Sequence, residues 1–233
     1  MPQFATSGTT GVPKTYSITE EQIARRIAHM NDASCGVGFE ALKSIFIDWA
    51  PDTYIGVVYA RYAEQHGMKA YHATLGTIEA TVEFFKSENI EGITSTPQGL
   101  HKYAQAAEGS HKFKWLLAST ARLTPTMSRA IRAGLGDNLW SSYAANEIGI
   151  ISIASANMIE TIPNCVGKIV PDIEVRFENR EIVLKSDLLI SGYDEDPKLT
   201  AERFKDGWYY TRDLGHIDSE EDVLILDGRR TSA

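Results

Sequence analysis

The chain reads as an α/β protein, a mostly parallel sheet flanked by helices and followed by a smaller β-rich subdomain. Three observations predict this. Between residues 43 and 143, short apolar runs alternate with amphipathic stretches over connections of a few residues, the pattern of βαβ units. After about residue 150 the strand-like segments 150–155, 174–178, 181–185 and 223–226 dominate and helical periodicity is scarce. The 233 residues, 43% hydrophobic and 23% charged, are enough for a large core. Residues 1–150 are thus assigned to the α/β part and 151–233 to the β-rich part.

Each element has a local reason. Thr19-Glu20-Glu21-Gln22 is a capping box, and Ile23, Ile27 and Met30 continue it at helical spacing. Arg25-Arg26 then falls on an exposed helix face rather than in a binding patch. Residues 43–49 form an apolar strand stopped by Pro51. Residues 53–66 are helical, with Ile55, Val58 and Tyr62 on one face and Gly67 at the C′ position. A strand at 68–73 is followed by a helix at 77–89 with Ile78, Val82 and Phe85 aligned. The alternation goes on through strand 91–96, helix 98–107, strand 113–119, helix 126–135 and strand 138–143.

Composition narrows the function. There are 23 Lys and Arg against 31 Asp and Glu, a formal charge of −8, so nothing draws nucleic acid or an anionic membrane. No apolar run reaches spanning length, and the opening MPQFATSGTTG lacks a signal pattern. Two cysteines, Cys35 and Cys165, make no disulfide framework and are read as inert, and a cytoplasmic protein is expected.

The strongest local signal is Thr6-Ser7-Gly8-Thr9-Thr10-Gly11-Val12-Pro13-Lys14. Its glycines let several backbone N–H groups converge on one anion. The hydroxyls add donors, and Lys14 adds a compact cation suited to phosphate. The spacing is not that of a Walker A loop.

This loop resembles the phosphate loop of the adenylate-forming (AMP-binding) superfamily of acyl-CoA synthetases, peptide-synthetase adenylation domains and beetle luciferases. Four further segments are similar to that family, in the same order. They are Ser142–Glu147 (SYAANE), Glu181–Phe204, Gly207–Gly215 (GWYYTRDLG) and Gly228-Arg229. The resemblance implies ATP-dependent activation of a carboxylic acid to an acyl-adenylate with release of pyrophosphate, then transfer to a thiol or amine acceptor. It implies ATP and Mg²⁺ as cofactors, with Thr6, Ser7, Gly8, Thr9, Thr10, Gly11 and Lys14 on the β,γ-phosphates. Glu147 would hold the metal and Asn146 would meet the α-phosphate. Tyr143 would face adenine beside Ala121, and Asp213 and Arg229 would contact the ribose. Lys14, Asn146 and Glu147 are the expected catalytic residues.

Four departures from the family pattern stand out. Asn146 replaces a threonine. Arg212 replaces a glycine, and if the backbone there has positive φ it costs about 1 kcal/mol or more. Ser119-Thr120-Ala121 replaces a Gly-Gly-Ala or Gly-Ser-Ala stretch. Trp49 stands near the family's pocket-guarding aromatic and is the expected wall of the acyl pocket. The chain also reads as a truncated core without the family's C-terminal lysine domain, so adenylation is expected to be slow alone or completed by a partner chain. The competing readings are an ATP- or AMP-binding pseudoenzyme and an interaction subunit whose exposed layer is covered by self-association.

Overall fold

The computed structural model describes residues 1–5, 14–34, 38–73 and 76–230. Five parallel strands form the first half of the main sheet: β3 (Ser44–Ile47), β4 (Lys69–His72), β5 (Gly92–Ser95), β6 (Trp115–Ala118) and β7 (Leu139–Ala145), in the order β4-β3-β5-β6-β7. Helix α1 (Glu20–Ser34) precedes them, and α2 (Tyr54–Gln65), α3 (Ile78–Ser87), α4 (Pro97–Ala107) and α5 (Pro125–Leu135) lie between them in sequence.

Strand pleating explains why both faces are covered. On β3, Ile45 and Ile47 pack with Ile23, Ile27 and Tyr62 of α1 and α2, whereas Phe46 packs with Val82, Phe85, Leu100 and Ile131 of α3, α4 and α5. Residues on β6 alternate likewise, Leu117 on one face and Leu116 on the other. Strands buried on both faces give the continuous apolar runs seen in the sequence.

The helix starts are locally encoded. Thr19 Oγ1 accepts from the Gln22 N–H at 3.0 Å while Gln22 Oε1 accepts from the Thr19 N–H at 2.9 Å, completing the capping box. Thr53, Thr77, Thr96 and Thr124 each accept from the amide three residues on, and Pro97 and Pro125 open their helices. Gly67 has φ 66°, as its place beyond α2 requires.

The α/β class with flanking helices holds, but the sheet contains more antiparallel pairing than expected. After β7 the chain turns through Asn146, Glu147 and Ile148 into β8 (Gly149–Ser155), and so short a connection permits only an antiparallel partner. The sheet then runs through β9 (Cys165–Ile169), β14 (Val223–Arg229), β13 (Trp208–Asp218) and β11 (Glu181–Lys185) to β10 (Glu174–Glu178), all antiparallel. Gly167 lets β9 approach β8: a Cβ there would meet the Ile153 oxygen at 2.0 Å. Two short helices, α6 (Ala156–Thr161) and α7 (Pro197–Arg203), punctuate this half. A two-residue strand, β12 (Phe204–Lys205), pairs with β13. A separate hairpin pairs β1 (Gln3–Ala5) with β2 (Thr15–Ser17).

Arg25-Arg26 is a correction. Arg25 is exposed and pairs with Glu21, but Arg26 is 2% exposed and lies inside the protein. Its position three residues after Ile23 and four before Met30 places it on the apolar face of α1. Among the described residues no helix is long and apolar enough to cross a membrane.

Candidate functional site

The C-terminal ends of β6 and β7 meet β13 and β14, and Ala121, Tyr143, Asp213 and Arg229 converge there. In parallel sheets this end is where ligands sit. Tyr143, on β7, donates its hydroxyl to Asp213 Oδ2 at 2.6 Å. Burial, and then the Asp213 carboxylate, push the Tyr143 hydroxyl well above its ordinary pKa, so it stays a donor. Asp213 faces Arg229 across the β13–β14 ladder, with Arg229 Nε 3.7 Å from Oδ1. The ladders are irregular beside both residues, between Tyr143 and Ala144 and between Leu214 and Gly215, which re-aims the side chains. Ala121, Tyr143, Asp213 and Arg229 line one cleft of about 260 Å³.

Glu147 occupies the β7–β8 turn. Tyr193 donates its hydroxyl to Glu147 Oε1 at 2.5 Å, and the Ile190 N–H donates to the Glu147 carbonyl at 2.9 Å. Lys14 reaches the same place, its Nζ 5.4 Å from the Tyr193 ring centroid. Burial, and then the Arg203 guanidinium, hold the Lys14 ammonium below its ordinary pKa, against the attraction of Glu147. Thr6, Ser7, Gly8, Thr9, Thr10 and Gly11 lie outside the described residues, as does Cys35. Cys165 is buried, which pushes its thiol up and away from reactivity.

The turn is held by Arg26, which sequence reasoning missed. Its Nε and Nη2 donate to the Leu188 carbonyl at 3.1 and 2.8 Å, and Nη1 donates to Tyr54 Oη at 2.8 Å and the Asn146 carbonyl at 2.9 Å. A second Nη2 bond reaches the Glu147 carbonyl at 2.9 Å. All five guanidinium N–H groups are thereby used. Tyr193 was also missed as a site residue, although it lies within the Glu181–Phe204 segment singled out from the sequence.

A second, mostly apolar cavity lies beside the cleft. Its walls include Met30 of α1, Tyr54, Val58 and Tyr59 of α2, and Asn146 at the end of β7. Thr120, Ser142 and Ala144 border both spaces, so the two adjoin across the β6–β7 ends. Trp49 lines neither: it is half-buried after β3, packed on the cluster that contains Tyr59 and Tyr62, and its carbonyl accepts from His72 Nδ1 at 3.1 Å.

Two of the departures carry backbone strain. Arg212 has φ 63° and Thr120 has φ 68°, the left-handed region that favours glycine. Arg212 is anchored by a side-chain ion pair with Glu202 and by its N–H, which donates to Glu181 Oε1 at 2.8 Å. A β-branched residue in this region is costly. Thr120→Gly should relieve roughly 1–2 kcal/mol of strain, partly offset by glycine's entropy. A rise in Tm of about 2 °C is expected, read by thermal unfolding. A lower Tm would contradict it.

An aromatic face, a carboxylate and an arginine share one cleft at the strand ends of the α/β sheet, with a lysine and a glutamate nearby. The chain belongs to the AMP-binding enzyme family, whose model matches residues 4–193. It is 23% identical over 245 residues to 4-coumarate–CoA ligase 4 of Arabidopsis thaliana, covering 95% of this chain and 43% of that protein. Identity to a putative acyl–CoA ligase, YdaB, of Bacillus subtilis is 25% over 243 residues, 96% of this chain and 47% of the relative. Among solved structures, the O-succinylbenzoate coenzyme A synthetase (MenE) of Bacillus subtilis in complex with AMP superposes with TM-score 0.82 at 18% identity, covering 98% of this chain and 49% of that one. ATP-bound MatB of Rhodopseudomonas palustris gives TM-score 0.81 at 17% identity, covering 97% and 47%. The chain thus spans less than half the length of these two curated relatives, which are named as CoA ligases, and the structural likeness is one of fold.

Proposed function

We propose that this chain activates a carboxylic acid with ATP, forming an acyl-adenylate and pyrophosphate, slowly when it acts alone. The observation that carries this reading is the adjacency of a nucleoside-sized cleft and an apolar cavity across Thr120, Ser142 and Ala144. A carboxylate oxygen presented from the cavity attacks the α-phosphorus, and the bond to the β-phosphate oxygen breaks. Such in-line displacement depends on positioning and charge neutralisation.

Each residue then has a role suited to its surroundings. Tyr143 offers its ring to adenine beside Ala121, and Asp213 accepts from the ribose hydroxyls while Arg229 makes a second ribose contact. Asn146, at the cavity's edge, donates to the α-phosphate. Lys14 and the loop Thr6–Gly11 hold the β,γ-phosphates. Glu147 suits Mg²⁺: Tyr193 occupies one carboxylate oxygen, and the other has no hydrogen-bond partner among the described residues. A hard cation bound through one carboxylate and substrate phosphates fits that arrangement, and the ion would supply neutralisation of phosphate charge. We place the nucleotide site chiefly in the 1–150 subdomain, with 151–233 contributing Asp213 and Arg229. The acyl group would pass to a thiol or amine, with a partner chain or second copy completing that step.

Hydroxylamine trapping over aryl, short-chain, fatty and amino acids tests the reading. ATP- and acid-dependent hydroxamate supports it; no hydroxamate with any acid, while AMP still binds, leaves nucleotide binding without activation. Asp213→Ala should weaken AMP binding on the order of 10- to 100-fold by calorimetry, since charge-assisted hydrogen bonds contribute about 1.5–3 kcal/mol. An unchanged Kd would remove Asp213 from the nucleotide. Trp49 backs the aromatic cluster behind the cavity, so Trp49→Ala should broaden the range of accepted acids. An identical trapping profile would remove it from acyl selection.

A further inference from the structure

Behind the apolar cavity lies a smaller one of about 10 Å³, enough for one water-sized group. Along β6, Trp115 and Leu117 line this inner space, while Ser119 and Thr120, just past the strand's end, line the outer one. Along β7, Trp140 lines the inner space, and Ser142 and Ala144 line the outer. The antiparallel β8 runs the other way, with Gly149 on the outer space and Ile153 on the inner. The two spaces are therefore stacked along the strands. The inner one lies farther from the cleft that Thr120, Ser142 and Ala144 border. Three residues line both: Met30 of α1, Tyr59 of α2 and Ile150 of β8. They form the partition. Met30 and Tyr59 belong to one buried cluster with Phe39, Trp115 and Leu117 of the inner wall, and Ile150 packs against it.

We infer that Met30 ends the acid pocket and sets the length of the acid, so that this chain takes a compact acid with a short apolar tail; this rests on the adenylation reading for the identity of the occupant. The carboxylate then lies at the strand ends, beside the nucleotide cleft, and the tail points back along β6 and β7 toward the partition. With the Met30 thioether in place the outer cavity holds about 70 Å³, which excludes a long acyl chain. Cutting that side chain back joins the outer space to the one already behind it, and the tail gains room for further methylenes. Each methylene buried before the partition adds apolar contact, and the first one past it must displace packed side chains.

Straight-chain acids from propionate to dodecanoate test this on the full chain, by calorimetry in saturating AMP and by ATP–pyrophosphate exchange. Affinity should rise about 4-fold with each added methylene and then break, falling on the order of 10-fold where the tail meets Met30. Met30→Ala should move that break to acids longer by about two methylenes. Ile150→Ala, which opens the partition from the sheet side, should move it in the same direction. A purely structural role for Met30 would lower stability and leave the break where it was. Should Met30→Ala fail to fold, the break in the unaltered chain and its shift in Ile150→Ala decide. No break across the series, a break at the same length in every variant that folds, or no binding of any acid overturns the inference. A break that moves in binding, with no exchange from any acid, would instead overturn the adenylation reading and leave Met30 as the end of the pocket.

Discussion

Arg26→Met is expected to destabilise the folded chain by about 3–5 kcal/mol, read as a lowered urea midpoint at unchanged slope. The reason is local to the site. The Leu188 and Asn146 carbonyls lose their guanidinium donors in a buried setting, and Tyr54 loses its partner. The Glu147 carbonyl fares better, because it keeps the Ile190 N–H. Among the described residues no carboxylate is a hydrogen-bond partner of Arg26; its charge is held by neutral acceptors, and methionine removes the cation without leaving such a counter-ion behind. Lysine is a poor substitute, since three donors on a flexible stem cannot reproduce a planar fork gripping three segments. Variants that still fold should require more Mg²⁺ for any turnover, because the Asn146-Glu147 turn loses its anchor. A shift below about 1 kcal/mol, the range of ordinary surface substitutions, would mean the turn is held by other contacts.

Glu147→Gln should reduce acid-dependent turnover by 10² or more, since it removes the carboxylate assigned to the metal. Metal-free AMP binding should change little, because Tyr143, Asp213 and Arg229 lie in the neighbouring cleft and Glu147 does not line it. The amide oxygen of glutamine can still accept from Tyr193, so folding is preserved and the loss reads on chemistry. Parallel losses of AMP binding and turnover would instead place Glu147 on the nucleoside or in the scaffold.

What the sequence disclosed and what it concealed follow from the range of the interactions. The Thr19–Gln22 capping box closes within four residues, so local pattern was enough. The alternating apolar runs and helices likewise forecast five parallel strands with helices on both faces. Arg212 was legible too: a side chain standing in for glycine implied positive φ, and φ is 63°. Arg26 was not legible in the same way. Its carbonyl acceptors lie 120, 121 and 162 residues away along the chain, and periodicity alone reads an arginine as solvated. Strand β13 was read only as a motif, because Arg212, Asp213 and Gly215 break its alternation. The bulge beside Gly215 keeps the strand paired despite them. The convergence of Ala121, Tyr143, Asp213 and Arg229 needed the sheet itself, since three separate strands and a loop supply them.

The central claim is that the cleft and the cavity act together on one acid and one nucleotide. Carboxylate-dependent ATP–pyrophosphate exchange tests it most directly. The account predicts that labelled pyrophosphate enters ATP only when Mg²⁺ and a compact carboxylic acid are both present, slowly, and that Glu147→Gln abolishes it. Exchange with no acid of any class, from a chain that still binds AMP, would contradict it.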